Sequence, residues 1–236
     1  MKKIQLAFIL FLWFSLPAFS QVIETSDLSV FENEHNAWRI AAHIGPGFRI
    51  GDTGAGDYST QKYISALKNG TSYGVEATYY LFEVFGFGVK VLNYNTSNSA
   101  MVTASLSSGE RWTGKMSDKI NITYMGPVAS YRLFSANRKH ALLMNAGLGY
   151  LYYKDKAFLA EEYILSNGTL GLHFDVGYEY ALNKSLSIGI EASYIAGTLG
   201  SVNVKTNGQS FNYSLGNNNR ESLSTLSIMA GLRLNL

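Results

Sequence analysis

Residues 170–180, Leu-Gly-Leu-His-Phe-Asp-Val-Gly-Tyr-Glu-Tyr, decide the fold. Leu170, Leu172, Phe174, Val176, Tyr178 and Tyr180 fall on one face of an extended chain. Gly171, His173, Asp175, Gly177 and Glu179 fall on the other. Successive side chains of a strand point to opposite faces, and a helix cannot sustain period-two patterning over this length. One face is purely aliphatic and aromatic. The other is glycine, histidine and carboxylate, unlike the Lys, Glu and Thr that coat the outer face of a soluble sandwich.

The same texture extends in both directions. Leu186, Ile188, Ile190, Ala192 and Tyr194 alternate with Ser187, Gly189, Glu191 and Ser193. Leu226, Ile228, Ala230, Leu232, Leu234 and Leu236 oppose Ser227, Met229, Gly231, Arg233 and Asn235. Near the start, Trp38, Ile40, Ala42, Ile44, Phe48 and Ile50 oppose Arg39, Ala41, His43, Gly45, Arg49 and Gly51. Residues 73–82 and 85–94 alternate well, whereas 120–133 and 140–153 alternate with interruptions. Most of these eight segments approach the roughly 9–11 residues a tilted strand needs to cross a bilayer.

The connections, 52–72, 83–84, 95–119, 134–139, 154–169, 182–185 and 197–221, run long and short in strict alternation. A transmembrane up-and-down barrel with both ends in the periplasm has long extracellular loops and short periplasmic turns. The expected fold is therefore all-β, an eight-stranded antiparallel up-and-down transmembrane β-barrel over residues 38–236. Two prolines resist the pattern, because Pro46 and Pro127 fall inside strands and cannot donate to a ladder. Gly126-Pro127 reads as a bulge, with the apolar face switching from Ile120, Ile122 and Tyr124 to Ala129, Tyr131 and Leu133. That leaves the facing of Arg132 open.

The first residues read as an export signal. Lys2 and Lys3 precede the apolar run Ile4 to Phe14, Pro17 breaks it, and Ala18-Phe19-Ser20 offers a cleavage site before Gln21. Residues 1–20 are thus expected to be a signal peptide. Residues 21–37, with Glu24, Asp27, Glu32 and Glu34 and neither Lys nor Arg, form an acidic leader. Without Lys2 and Lys3 the basic and acidic residues balance, so the basic bias of a nucleic-acid binder is missing. The sequence has no cysteine, which excludes disulfides and thiolate chemistry.

Taken together, the eight strands, the alternating connections and the ending Gly231-Leu232-Arg233-Leu234-Asn235-Leu236 resemble the OmpA/OmpX-like outer-membrane barrel family. In that family the last residue is typically Phe, and Leu236 departs from this while staying apolar. The resemblance implies a Gram-negative outer-membrane protein with periplasmic termini, a monomer without cofactor. It also implies lipid and lipopolysaccharide as surroundings, and a barrel-assembly signal carried by Gly231, Leu232, Leu234 and Leu236.

On the inward face the sequence places Arg39, His43, Arg49, Glu76, Lys90, His173, Asp175, Glu179, Glu191 and Arg233. An eight-stranded barrel is only wide enough for its side chains to fill, so these charges should pair across the lumen and close it. Glu76 and Lys90 are equidistant from Glu83 and should face each other across the shortest turn. The competing reading is catalytic, with His173 beside Asp175 or His43 as a general base. Hydrolysis also needs a nucleophile and an oxyanion hole, and no motif supplies them. Ser166-Asn167-Gly168 lacks the preceding His of barrel-type lipid A deacylases. His35, His43, His140 and His173 show no metal-ligand spacing. No catalytic, cofactor or metal residue is assigned.

In the last connection Val202 and Val204 alternate before Asn207-Gly208, and Phe211 and Tyr213 after it, which predicts a hairpin ribbon. The connection around Ser107-Ser108-Gly109, followed by Trp112, has a similar look. Ala157 to Leu165, with Phe158, Tyr163 and Ile164, reads as a short amphipathic helix. The function expected is a non-enzymatic envelope barrel contributing to surface interaction or adhesion, with an extracellular protein or glycan as partner. The alternatives are a narrow porin-like channel or small-ligand conduit, and then a lipid-modifying barrel enzyme.

Overall fold

The computed structural model describes residues 36–51, 58–105, 111–159, 161–216 and 220–236. The signal peptide, the leader up to His35 and the Ser107-Ser108-Gly109 turn lie outside the described residues. Strands β1 (Trp38–Arg49), β2 (Asn69–Tyr80), β3 (Phe85–Ser105), β4 (Arg111–Phe134), β5 (His140–Leu159), β6 (Glu161–Ala181) and β7 (Leu186–Ala196) form most of the wall. The short strands β8 (Thr198–Leu199), β9 (Ser201–Thr206), β10 (Gln209–Ser214) and β11 (Glu221–Ser222) follow, then β12 (Thr225–Asn235). One helix, α1 (Tyr58–Leu67), stands between β1 and β2.

The wall closes on itself. Each of β1 to β7 pairs antiparallel with the next, and β12 pairs with both β7 and β1, so eight strands form an unbroken ring. The seam is stitched to its end, where Trp38 N donates to Leu236 O at 2.9 Å and Leu236 N to Trp38 O at 2.8 Å. Closure removes every edge from the ring, and in hydrocarbon no backbone group can be left unpaired. The connections 81–84, 135–139 and 182–185 sit at the same end as this seam terminus. We call it the turn end, and the opposite one the ribbon end.

The alternation translates directly into facing. Ile40, Ile44, Val75, Val89, Leu148, Leu172, Ile190, Ile228 and Leu232 point outward, each more than 40 % exposed. An apolar belt of this extent is stable only in lipid. Aromatic residues border it: Trp38, Tyr79, Tyr178 and Tyr180 at the turn end, and Tyr73, Tyr150, Tyr152 and Tyr194 toward the ribbon end. This is where amphipathic rings settle at a membrane interface.

Three expectations are corrected. First, Gly126-Pro127 is not a bulge. Met125 faces Val91 and Tyr150, and Val128 faces Gly88 and Gly147, so equal numbers of residues intervene on all three strands. The alternation keeps its phase, and Ile120, Ile122, Tyr124, Val128, Ser130 and Arg132 are all buried inside. What looked like a change of face is a change in what fills the lumen. Second, the segment Ala157 to Leu165 is not helical, because β5 and β6 run on through it, with Lys156 opposite Ile164 and Ala157 opposite Tyr163. The helix lies in the first long connection instead, with Tyr63 and Leu67 buried one turn apart. Third, the connection 95–119 is largely strand. β3 and β4 stay paired from Phe85 opposite Tyr131 to Ser105 opposite Arg111.

The predicted ribbon is present as β9 and β10, joined by Asn207 at φ 47° and Gly208 at φ 78°. Two consecutive left-handed residues make the turn whose twist matches a hairpin, and Asn-Gly tolerates that conformation best. β9 also pairs with the upper part of β6, Leu165 facing Val204. Beyond the belt the wall therefore continues as one open sheet of β3, β4, β5, β6, β9 and β10.

Candidate functional site

The lumen has two storeys. In the turn half, Arg39 on β1 reaches across to Glu179 on β6, at 2.5 Å through Nη2, and to Glu76 on β2, at 2.6 Å through Nη1. Arg233 on β12 meets the same Glu179 at 2.9 Å and Glu191 at 3.4 Å. Lys90 on β3 lies among Asp175, Glu191 at 3.0 Å and Glu76 at 3.5 Å. Glu76 faces Lys90 directly in the register, as its spacing from Glu83 implies. Thr78 and Asn145 also donate to Glu76, at 2.9 and 3.1 Å. Every one of these charged side chains is buried. An ion buried without a partner is costly, and the cross-lumen pairs supply partners that single strands cannot.

Two arginines stand apart from this network. Arg49 does not join the network. It pairs at the ribbon end with Glu221 of β11 and donates to Ser222 O at 2.9 Å. Arg132, whose facing the sequence left open, also faces inward, on β4 at the opposite end. Arg132 is buried at the turn end, its guanidinium 3.5 Å from the centre of the Tyr80 ring and its Nε donating to Glu83 O at 2.6 Å. This is a cation over an aromatic face, and it seals the turn end.

The ribbon half of the lumen is apolar. Leu92, Tyr94, Ile122, Tyr124, Leu151 and Ile195 are buried in it, and Tyr63 and Leu67 of α1 cap it. Glycines make room for the rings. At Gly147 a Cβ would lie 2.7 Å from the Tyr124 hydroxyl, and at Gly149 2.7 Å from its ring carbon. The sequence reading missed this plug because it assigned apolar residues on β4 to the lipid side.

The two histidines sit between the storeys. His43 lies 3.6 Å from Glu191. His173 stacks on Tyr124 with ring centres 4.9 Å apart, and its Nε2 faces both Asp175 Oδ1 at 2.7 Å and Ser193 Oγ at 3.2 Å. Ser, His and Asp thus meet in space, yet they are not a triad. A triad needs the acid on one ring nitrogen and the hydroxyl on the other, so that the imidazole can take a proton from Ser while the carboxylate holds it. Here both crowd the same nitrogen, and Lys90 binds the carboxylate. His140 lies elsewhere, at the turn end, with Nδ1 2.5 Å from the Tyr178 hydroxyl. Of the residues read as an assembly signal, Leu232, Leu234 and Leu236 point outward, and Gly231 packs where a Cβ would meet Ala42 O at 2.1 Å.

At the ribbon end, outside the belt, the inner face of the sheet carries Asp118 and Asp155. Tyr63 Oη donates to Asp118 at 2.5 Å, which ties α1 to the wall, and Asn98 Nδ2 donates to Tyr63 O at 3.0 Å. Asp155 is buried beside Tyr153, whose hydroxyl is 3.4 Å away. Burial, and then the neighbouring Asp118 carboxylate, push the Asp155 carboxyl up to about 7.

No family model matches the sequence, and no curated protein matches it. Solved structures do. A major outer membrane protein from Thermus thermophilus superposes with a TM-score of 0.53 at 14% identity, over 85% of this chain and 100% of that one. Neisserial surface protein A gives 0.45 at 15% identity, over 85% and 96%. The N-terminal β-barrel domain of Pseudomonas aeruginosa OprF gives 0.43 at 13% identity, over 86% and 98%. At these identities what is shared is the fold. A closed ring of eight strands, a lipid-facing belt and a likeness in fold to a solved outer-membrane barrel agree: the chain is a small eight-stranded transmembrane β-barrel.

Proposed function

We propose that the protein is a non-conducting, non-enzymatic anchor that holds a rigid sheet above the outer membrane for surface interaction. The observation that carries this reading is the double closure of the lumen. Cross-lumen ion pairs fill the turn half and an apolar plug fills the ribbon half, so neither ions nor a substrate have a path to the buried His173 and Asp175. Above the belt, β3 to β6 extend as paired strands and β9 and β10 widen the sheet, ending in β10. Phe211 and Tyr213 stand exposed on β10, a strand with one open edge. An exposed edge strand with aromatic anchors suits a protein partner that adds a strand. In this orientation the turn end, where Trp38 meets Leu236, faces the periplasm, and Leu232, Leu234 and Leu236 present the signal that the assembly machinery reads.

Planar-bilayer recording with the folded full chain tests the reading. The expected result is a flat trace at salt concentrations where open porins conduct. Discrete, reproducible channel openings would favour the conduit instead.

A further inference from the structure

Lys119 on β4 and Lys156 on β5 are direct cross-strand partners on the outer face of the wall, just beyond the belt. Like charges placed directly opposite each other destabilise a sheet. Lys154 adds a third positive charge beside them, opposite Asn121. Among the described residues, no carboxylate lies within ion-pair distance of Lys119, Lys154 or Lys156, whereas Arg39, Lys90 and Arg233 in the turn half each have one. Asp118 and Asp155, the acids adjacent to these lysines in sequence, are turned inward, where Asp118 accepts the Tyr63 hydroxyl and Asp155 is buried beside Tyr153.

Lys119 and Lys156 line a polar hollow of about 450 Å³ together with Ser97, Asn98, Ser99, Ser117 and Asp118. Ser97 is the cross-strand partner of Lys119 on the other side. Below the hollow the same outer face carries interlocked amides: Asn121 Nδ2 donates to Asn93 Oδ1 at 2.8 Å and to Asn95 Oδ1 at 2.6 Å.

Height identifies the occupant. Tyr150 and Tyr152 mark the membrane interface on β5, and Lys154 and Lys156 are the next two outward positions. At about 3.3 Å per residue they lie roughly 7 and 13 Å along the strand beyond Tyr152. The headgroup layer on each side of a bilayer is only several ångströms to about 8 Å deep, so a tilted strand places these ammonium groups in it and directly above it. We propose that this hollow is a docking site for the phosphorylated sugar headgroup of an outer-leaflet glycolipid. The lysines would take the phosphate, and the serine hydroxyls and the amide row would take the sugar hydroxyls. The clash between Lys119 and Lys156 is then relieved by the ligand, and the site is independent of whether the lumen conducts.

The test compares thermal midpoints, read as the heat-dependent gel shift, of the full chain folded into phosphatidylcholine vesicles. Parallel vesicles contain a minor fraction of bis-phosphorylated lipid A, dephosphorylated lipid A or phosphatidylglycerol. Bis-phosphorylated lipid A is expected to raise the midpoint by several degrees, and the other two to leave it near that of phosphatidylcholine alone. The double variant Lys119→Gln/Lys156→Gln should lose that rise, while its midpoint in phosphatidylcholine alone is equal to or above the parent's. Lys156→Arg, which keeps the charge, should retain it. A rise of the same size with phosphatidylglycerol, a rise that survives in the double variant, or no rise at all would each overturn the proposal. A double variant less stable than the parent in phosphatidylcholine alone would also count against it, because the lysines would then be serving the bare fold.

Discussion

Lys90 is the residue on which the turn half of the lumen balances. Asp175, Glu191 and Glu76 all converge on it, whereas Glu76 also has Arg39, Thr78 and Asn145. Removing the shared cation leaves carboxylates crowded together in a water-poor space, and breaking one side of a buried pair costs about 3–5 kcal/mol. Lys90→Met is therefore expected to destabilise the barrel by about that amount, and by more than Glu76→Gln, whose loss leaves Arg39 still bound to Glu179. Adding Asp175→Asn to Lys90→Met should recover part of the loss, because it removes one of the stranded charges. Urea titrations of folding into lipid vesicles measure all three. Strict additivity of Lys90→Met and Asp175→Asn would show that the two side chains do not interact.

At the scale of elements, the sheet above the belt is where pH should act. Asp155 holds its proton up to about 7 in the fold, against an ordinary carboxyl value near 3.8. Below about pH 4 it is protonated whether the segment is folded or open, and its favourable contribution is complete. Between those values the open form ionises while the folded form keeps its proton, so stability falls as pH rises and the contribution is gone above 7. The β4–β5 ribbon, residues 113–122 and 152–159, should show lower hydrogen-exchange protection factors at pH 8 than at pH 5, after correction for intrinsic rates. Asp155→Asn should abolish that difference, and an unchanged difference would assign it to another group. The elements also differ in how readable they are. β1, β6, β7 and β12 are legible in sequence because lipid wants apolar side chains and the turn half of the lumen wants polar ones. β4 defeats this logic, since Ile122 and Tyr124 serve the plug and Met125 serves the lipid. In the strand extensions polar residues fill both faces, Asn95, Ser97 and Ser99 outside and Thr96 and Asn98 inside toward α1, so no hydrophobic period marks them and they resemble loops. Helix α1 left a fainter trace, Tyr63 and Leu67 at helical spacing, in a connection too short to display a full pattern. The charged lumen was visible because charge on an alternating inner face has nowhere else to go. The inward facing of Arg132 was not, because it depends on β4 keeping its register through Gly126-Pro127, and the pairing of Arg49 with Glu221 was not, because the two are far apart in sequence.

For the whole molecule, the outward belt and the closed seam should act as one. Leu172 is 61% exposed at mid-belt, and an arginine there would sit in hydrocarbon. Leu172→Arg is expected to cost about 2–4 kcal/mol in a bilayer. It should lower the temperature at which the protein loses its compact, fast-migrating form in detergent gels. Identical migration of heated and unheated parent protein would contradict a closed barrel. The cross-lumen pairing also bears on assembly. Arg39 and Arg233 stand on the two seam strands, and their common partner Glu179 stands on β6, on the far side of the ring. Arg39 and Arg233 each keep one carboxylate on a neighbouring strand, Glu76 on β2 and Glu191 on β7, but in a lone β5–β6 hairpin Glu179 would lack both of its arginines. Bringing the seam strands round to β6 is therefore the step that neutralises Glu179. A sheet that stalls short of completion therefore leaves Glu179 as an unpaired charge facing hydrocarbon, and closure relieves it.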